Sequence, residues 1–256
     1  MIDKWTLFAV ILLIVLLLIE CGCGKMETKA SEQSDPITIF MCGDVMTGRG
    51  IDQILPNPSD QTLHESYMKR ALGYVEIAEQ VSGPIKLPVD WAYIWGDALA
   101  EFDRLKPDLK LINLETSITT SDDYWAGKGI NYRMNPANIP CLTAAGIDIC
   151  TLANNHVIDW GYAGLRETLT TLQTHGIRTV GAGYDKNEAE VPAILQVADK
   201  GRIIVFSHGA ESSGIPWSWR ASEIQGGVNL LPDLSSSTVN MIKKQIETVK
   251  HPGNIV

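Results

Sequence analysis

The chain is short of basic residues and cysteines and has no internal repeat, and each shortage removes a class of function. Its 21 Lys and Arg stand against 30 Asp and Glu, leaving a formal charge of -9. The basic residues are scattered, and a phosphate backbone needs a basic face, so the composition argues against nucleic acid as a partner. Of 5 cysteines, Cys21 and Cys23 flank an N-terminal apolar run. Cys42, Cys141 and Cys150 lie inside apolar stretches, where cysteine behaves as a small core residue. That odd remainder makes no disulfide framework, and no Cys-x-x-Cys pair suggests zinc. No second domain is evident.

What is present begins with Trp5 to Ile19, "WTLFAVILLIVLLLI", an unbroken apolar run after Lys4. At about 15 residues it is shorter than the roughly 20 that cross a bilayer comfortably. It reads as an export signal, with a retained signal anchor as the alternative. The following "ECGCG" resembles a bacterial lipoprotein signal, although Glu20 stands before Cys21 where a small residue is the rule. Residues 1–24 are therefore expected to be a signal peptide or membrane anchor that leaves the protein at the outer face of the cell membrane. Residues 25–36, "KMETKASEQSDP", are polar and without periodicity, the composition of a flexible linker.

From Ile37 the pattern changes. "ITIFMCGD", "LKLINL" (Leu109–Leu114), "IDICTLA" (Ile147–Ala153), "IRTV" (Ile177–Val180) and "IIVFS" (Ile203–Ser207) are short β-branched or apolar runs of the buried-strand kind. Helix-like stretches lie between and after them, over 63–80, 92–105, 136–145, 162–175 and 236–250. Strands alternating with helices predict an α/β domain over 37–256. Ligands in such sheets sit at the carboxyl ends of the strands. The polar residues gather there: Asp44 ends the first strand, Asn113 and Glu115 the second, Asn154, Asn155 and His156 the third, and His208 the last.

Carboxylate and amide oxygens take hard divalent cations, and histidine suits Mn, Fe or Zn. Two such ions bridged by one carboxylate can generate a hydroxide and clamp a displaced oxygen. Each residue also has a plainer role open to it. Asp44 alone reads as a turn or cap, Glu115 as a surface carboxylate, Asn155 as a left-handed turn and His156 as a packing residue. Asp159, near a helix start, reads as a cap. Only their shared placement at strand ends raises the set above these roles.

Four ordered segments carry a resemblance: "GDVMTGRG" (Gly43–Gly50), "NLETSIT" (Asn113–Thr119), "NYRMNPAN" (Asn131–Asn138) and "ANNHVIDWGYAGL" (Ala153–Leu165). Together they resemble the CapA family of capsule and poly-γ-glutamate biosynthesis, from Ile37 to the end of the chain. The resemblance implies a calcineurin-like metallophosphoesterase fold, two packed β-sheets flanked by helices, with a dinuclear metal site. It implies Asp44, Glu115 and Asn155 as metal ligands, Glu115 as the bridging or neighbouring carboxylate. His156 would be the acid or the electrostatic partner of a substrate oxyanion. Two departures stand out. Met46 occupies a position where phosphoesterases carry a histidine ligand, and the later histidine motifs of the family do not occur before Val256. The apolar "NIV" ending suggests a sequence cut short, with an incomplete site.

Arg49 and Arg133 are candidates to hold an anionic group, since guanidinium pairs bidentately with carboxylate or phosphate. For Arg49 a structural salt bridge is as reasonable. His208 and Asn154 are expected to line the substrate site. His64, His175 and His251 fall on helix-like segments and read as surface residues, and Trp91, Trp95, Trp217 and Trp219 as packing. The expected function is an exported, membrane-held protein acting on or exporting an anionic polymer such as poly-γ-glutamate, alongside polymer-synthase subunits. It would be a metal-dependent hydrolase or transferase. The alternative is a non-catalytic subunit that binds the polymer in the same cleft.

Overall fold

The structure, a computed structural model, describes Pro36–Val256; the expected signal or anchor, and the linker up to Asp35, lie outside the described residues. In chain order the main elements begin with β1 (Ile39–Val45), α1 (Gly50–Ile54), α2 (Leu72–Ser82), α3 (Ala98–Leu105), β2 (Leu109–Leu114), β3 (Ser117–Ile118) and β4 (Arg133–Met134). They continue through α4 (Pro140–Ala144), β5 (Ile149–Thr151), α5 (Gly161–Thr174), β6 (Arg178–Val180), β7 (Ala182–Gly183) and α6 (Lys186–Glu190). The last are β8 (Ala193–Val197), β9 (Gly201–Val205), β10 (Gly227–Val228), α7 (Ser236–Val249) and β11 (Asn254–Ile255).

The fold is α/β, built on a parallel sheet ordered β1-β2-β5-β6. Alternation along β2 assigns its two faces. Leu109 and Leu111 join Ile149 and Val180 against Ala193, Leu195, Val197 and Ile203 of a second sheet, β11-β9-β8. The two sheets thus pack on each other through one apolar layer. On the opposite face Ile112 and Leu114 meet Phe102, Leu142, Leu165, Leu169 and Leu172 from the helices. This is the expected layering of helices on a pair of packed sheets.

The strands at 109–114 and 178–180 and the helices at 161–174 and 236–249 fall where the apolar patterns put them. The expected helix over 63–80 does not. It starts only at Leu72, because residues 61–71 fold back as a loop with Thr62 bridged to Arg70 and the Ala71 amide donating to the Gln61 carbonyl. His64 accordingly sits in that loop, stacked on Tyr124 at 3.6 Å between ring centres. The stretch 92–105 is likewise divided, a short 3-10 turn at Tyr93–Trp95 preceding α3. The hairpin β8-β9 gained its first strand from "AILQV", whose alternate residues are buried.

Candidate functional site

The site begins with a defect in β1. Its pairing with β2 is regular up to Cys42↔Ile112, then slips, and resumes at Val45↔Leu114. The bulge leaves Asp44 with a positive φ of 50°, a conformation that aspartate tolerates better than most residues. Its carboxylate is thereby brought beside the end of β2. There the Asn113 side-chain amide donates to Asp44 Oδ1 at 3.0 Å and to Glu115 Oε2 at 2.7 Å.

Asn154 sets the orientation of that amide. Its Nδ2 donates to the Leu114 carbonyl at 2.9 Å and to Asn113 Oδ1 at 3.0 Å, while its Oδ1 accepts the His156 backbone N–H at 3.0 Å. With Asn113 Oδ1 engaged as an acceptor, its N–H groups must face the two carboxylates. Asn154 therefore ties the end of β2 to the turn that carries His156. Ser117 adds a bond from its hydroxyl to the His156 carbonyl at 2.7 Å.

His156 is buried between this network and a second one. Its Nδ1 lies 2.6 Å from Asp159 Oδ2, its Nε2 lies 3.9 Å from Glu115 Oε1, and its ring stacks on Tyr132 at 4.0 Å. Asp159, with no exposed surface, also accepts the Tyr132 backbone N–H at 2.7 Å and pairs with Lys128. The Lys128 ammonium reaches the Asn155 carbonyl as well, and stands 5.5 Å from the Trp219 ring centre. Asp159 makes no cap on α5, whose first residue, Gly161, has a φ of 68°. A Cβ at Gly161 would fall 2.5 Å from Asp123 Oδ2, so only glycine lets the chain enter the helix here.

Burial shapes the charges. Desolvation raises the Glu115 carboxyl above the usual range, against the opposing influence of His156 and the Asn113 amide. Desolvation also lowers the Lys128 ammonium, with Asp159 and Glu115 pulling the other way. A carboxyl whose folded pKa is raised is a net cost in its ionised form. That cost is present above the folded pKa and absent below the unfolded value near 4.5. Glu115→Gln should consequently stabilise the protein at neutral pH and lose that advantage below about pH 4. Thermal melts of both proteins from pH 3.5 to 7.5 check this; a variant less stable at pH 7 contradicts it.

The remaining sequence candidates are distributed more widely. Asn155 lies beside Gly214, where an added Cβ would be 3.5 Å from its Nδ2. Arg49 stands over the rings of Tyr74 and Tyr132, with Nε 2.6 Å from Glu65 Oε1. Arg133 is engaged with other partners, its guanidinium 3.9 Å from the Trp160 ring centre and bonded to Asp122 and to the Ser121 and Asp60 carbonyls. His208 faces Gln245 of α7 at 3.3 Å.

Asp44, Glu115 and the open Nε2 of His156 are the donor types a divalent ion takes. As arranged, the Asn113 N–H groups engage one oxygen of each carboxylate, Asp44 Oδ1 and Glu115 Oε2. Among the described residues no three His, Cys, Asp or Glu side chains converge closely enough to hold an ion.

Residues 38–256 match the family described as bacterial capsule synthesis protein PGA_cap. The chain belongs to this family. Among its relatives, a "probable polyglutamine synthesis accessory protein" of Mycobacterium tuberculosis is 46% identical over 222 residues, covering 86% of this chain and 58% of the relative. The "PGA biosynthesis protein CapA" of Bacillus subtilis is 25% identical over 191 residues, covering 73% of this chain and 42% of that protein. The "capsule biosynthesis protein CapA" of Bacillus anthracis is 24% identical over 221 residues, covering 86% and 44%. The chain thus spans about half the length of these relatives. Within this PGA_cap domain, sequence reasoning missed Lys128. It lies in a polar loop, "AGKG", whose only signal was a lysine between two glycines.

Proposed function

We propose that the chain acts in the synthesis of an anionic envelope polymer of the poly-glutamate class, as an accessory protein whose strand-end site transfers protons on the polymer or its precursor. One observation carries this reading. Asp159 Oδ2 stands 2.6 Å and Lys128 Nζ 3.0 Å from His156 Nδ1, and with the shorter contact made by Nδ1–H to Asp159, Nε2 is the nitrogen left facing Glu115. Family membership and the relatives' names support the polymer class.

In this reading water or a terminal amine attacks an amide carbonyl of the polymer. His156 Nε2 takes the proton of the nucleophile and returns it to the departing nitrogen. Asp159 keeps the imidazole oriented and steadies its protonated form. The scissile C–N bond breaks as the new bond to carbon forms, so the net change is hydrolysis or transfer. Export and residence at the outer membrane face, with synthase subunits as partners, belong to the same proposal and rest on residues 1–24. No helix among the described residues is long and apolar enough to cross a membrane.

The test is complementation of a polymer-producing host lacking the gene with the full chain or with His156→Ala, reading polymer amount and chain length. His156→Ala is expected to remove product or its length control. Wild-type polymer from His156→Ala would overturn the catalytic role and leave the non-catalytic binding subunit. A second reading, a metal-dependent hydrolase or transferase using Mn, Fe or Zn, is favoured by the two carboxylates that meet at one amide nitrogen. Stoichiometric metal in the purified full chain, lost in Asp44→Ala, would establish it.

A further inference from the structure

An apolar hollow beside Arg49 is used by neither network. It is a cavity of about 290 Å3 between α1 and α2, walled chiefly by Met46, Ile51, Ile54, Val75, Ala78 and Ile85. Met46 is the residue two positions past Asp44, so the chain passes directly from the strand-end carboxylate into an apolar wall. The one charged group on the lining is Arg49. It stands 4.8 Å from the ring centre of Tyr132, which itself stacks on His156, so the charged end of the cavity is the end toward the site.

The guanidinium is only partly committed. Glu65 Oε1 forms an ion pair with it, 2.6 Å from Nε, and the Tyr67 hydroxyl lies 3.5 Å from Nη2. Among the described residues nothing else bonds the outer Nη1 and Nη2 edge. That edge pairs with a planar carboxylate through two parallel hydrogen bonds. Arg49 also has a φ of 51°, a strained position for a non-glycine residue and of the kind found at binding sites.

We propose that this cavity binds a fatty-acid-type monoanion, its alkyl chain along the apolar wall and its carboxylate on the outer edge of Arg49. The cavity has room for an alkyl chain of medium length. Its apolar wall disfavours a polyglutamate chain, whose peptide groups would lose water there without hydrogen-bond partners. Glu65 already balances Arg49, so one added negative charge is tolerated better than the two of a phosphate monoester. Ala78 is exposed, which leaves the cavity open to entry from solvent.

The experiment titrates the full chain with decanoate below its micellar range and follows the methyl resonances of Ile51 and Val75 by NMR. Saturable shifts at both, with contacts to the alkyl chain, are expected. Decanol should bind at least about tenfold more weakly, about 1.4 kcal/mol, and so should Arg49→Gln toward decanoate. Ala78→Trp, which fills the cavity from an exposed helix position, should abolish the shifts at Val75. No saturable shift in the wild type overturns the proposal, as does decanol matching decanoate. Decyl phosphate binding more tightly than decanoate overturns the carboxylate head. If Ala78→Trp does not fold, the wild-type contacts decide.

Discussion

Asp159→Ala should lower stability by about 3–5 kcal/mol and silence the strand-end site, because it strips the partner from a buried cation. Asp159 is fully buried and accepts from His156, from the Tyr132 backbone and from Lys128. Its loss leaves the Lys128 ammonium, 17% exposed, beside the ring of Trp219 with no ion-pair partner among the described residues. For a domain of this size the cost reads as roughly 6–20 °C in Tm. Lys128→Met in the same chain should restore much of that loss, since removing both charges is far cheaper than removing one. Denaturant titration of the two single variants and the double variant measures the coupling, and strictly additive costs would refute the pairing. The double variant has a second use. On the proposed role it should fold yet remain inactive in polymer production, because His156 still lacks the group that holds Nδ1.

How far the sequence announced this arrangement depends on the kind of signal each residue leaves. β2 is readable because its apolar residues line both faces of a buried parallel strand, and such a run has few other uses. Asp44, Glu115 and His156 are readable because a parallel sheet delivers every strand end to one edge, so polar residues after apolar runs converge without further information. Asp159 leaves an ambiguous signal: an acidic residue two places before a helix start serves equally as a cap, and only the fold of the 153–160 turn aims it at His156. Lys128 leaves almost none. Its loop has no periodicity, and its partners come from a turn 27 to 31 residues further along the chain. The false helix over 63–71 has a related cause. Glu65, wholly buried, is held against Arg49 and the Tyr74 hydroxyl, and those tertiary contacts outweigh local helix preference.

The same reasoning assigns a structural task to "NYRMNPAN", and substitution of Asp52 tests it. Asp52, 1% exposed in α1, accepts the Asn135 backbone N–H at 2.9 Å, the Asn138 side-chain amide at 2.9 Å and the Ser59 backbone N–H at 2.6 Å. Two of the motif's three asparagines, Asn135 and Asn138, thus fasten the segment before α4 to the helix that follows β1, and with it the wall of the apolar cavity. Asp52→Ala orphans three donors, each worth about 1–3 kcal/mol when left unsatisfied and buried, so a loss of roughly 3–5 kcal/mol is expected after partial relaxation. Asp52→Asn should cost less, since one oxygen still accepts from Asn135 and Asn138 while its amide opposes the Ser59 N–H. The pH dependence has a definite sign. Burial raises the Asp52 carboxyl above its ordinary 3.8, so the wild-type side chain contributes most below that value and loses part of its contribution as pH rises through the folded pKa. The penalty of Asp52→Ala should therefore be larger at pH 3.5 than at pH 7, opposite to the behaviour of a salt-bridged aspartate. Urea titrations of both proteins at the two pH values decide it, and a penalty that grows toward neutral pH would mean that the three hydrogen bonds outweigh desolvation at this carboxylate.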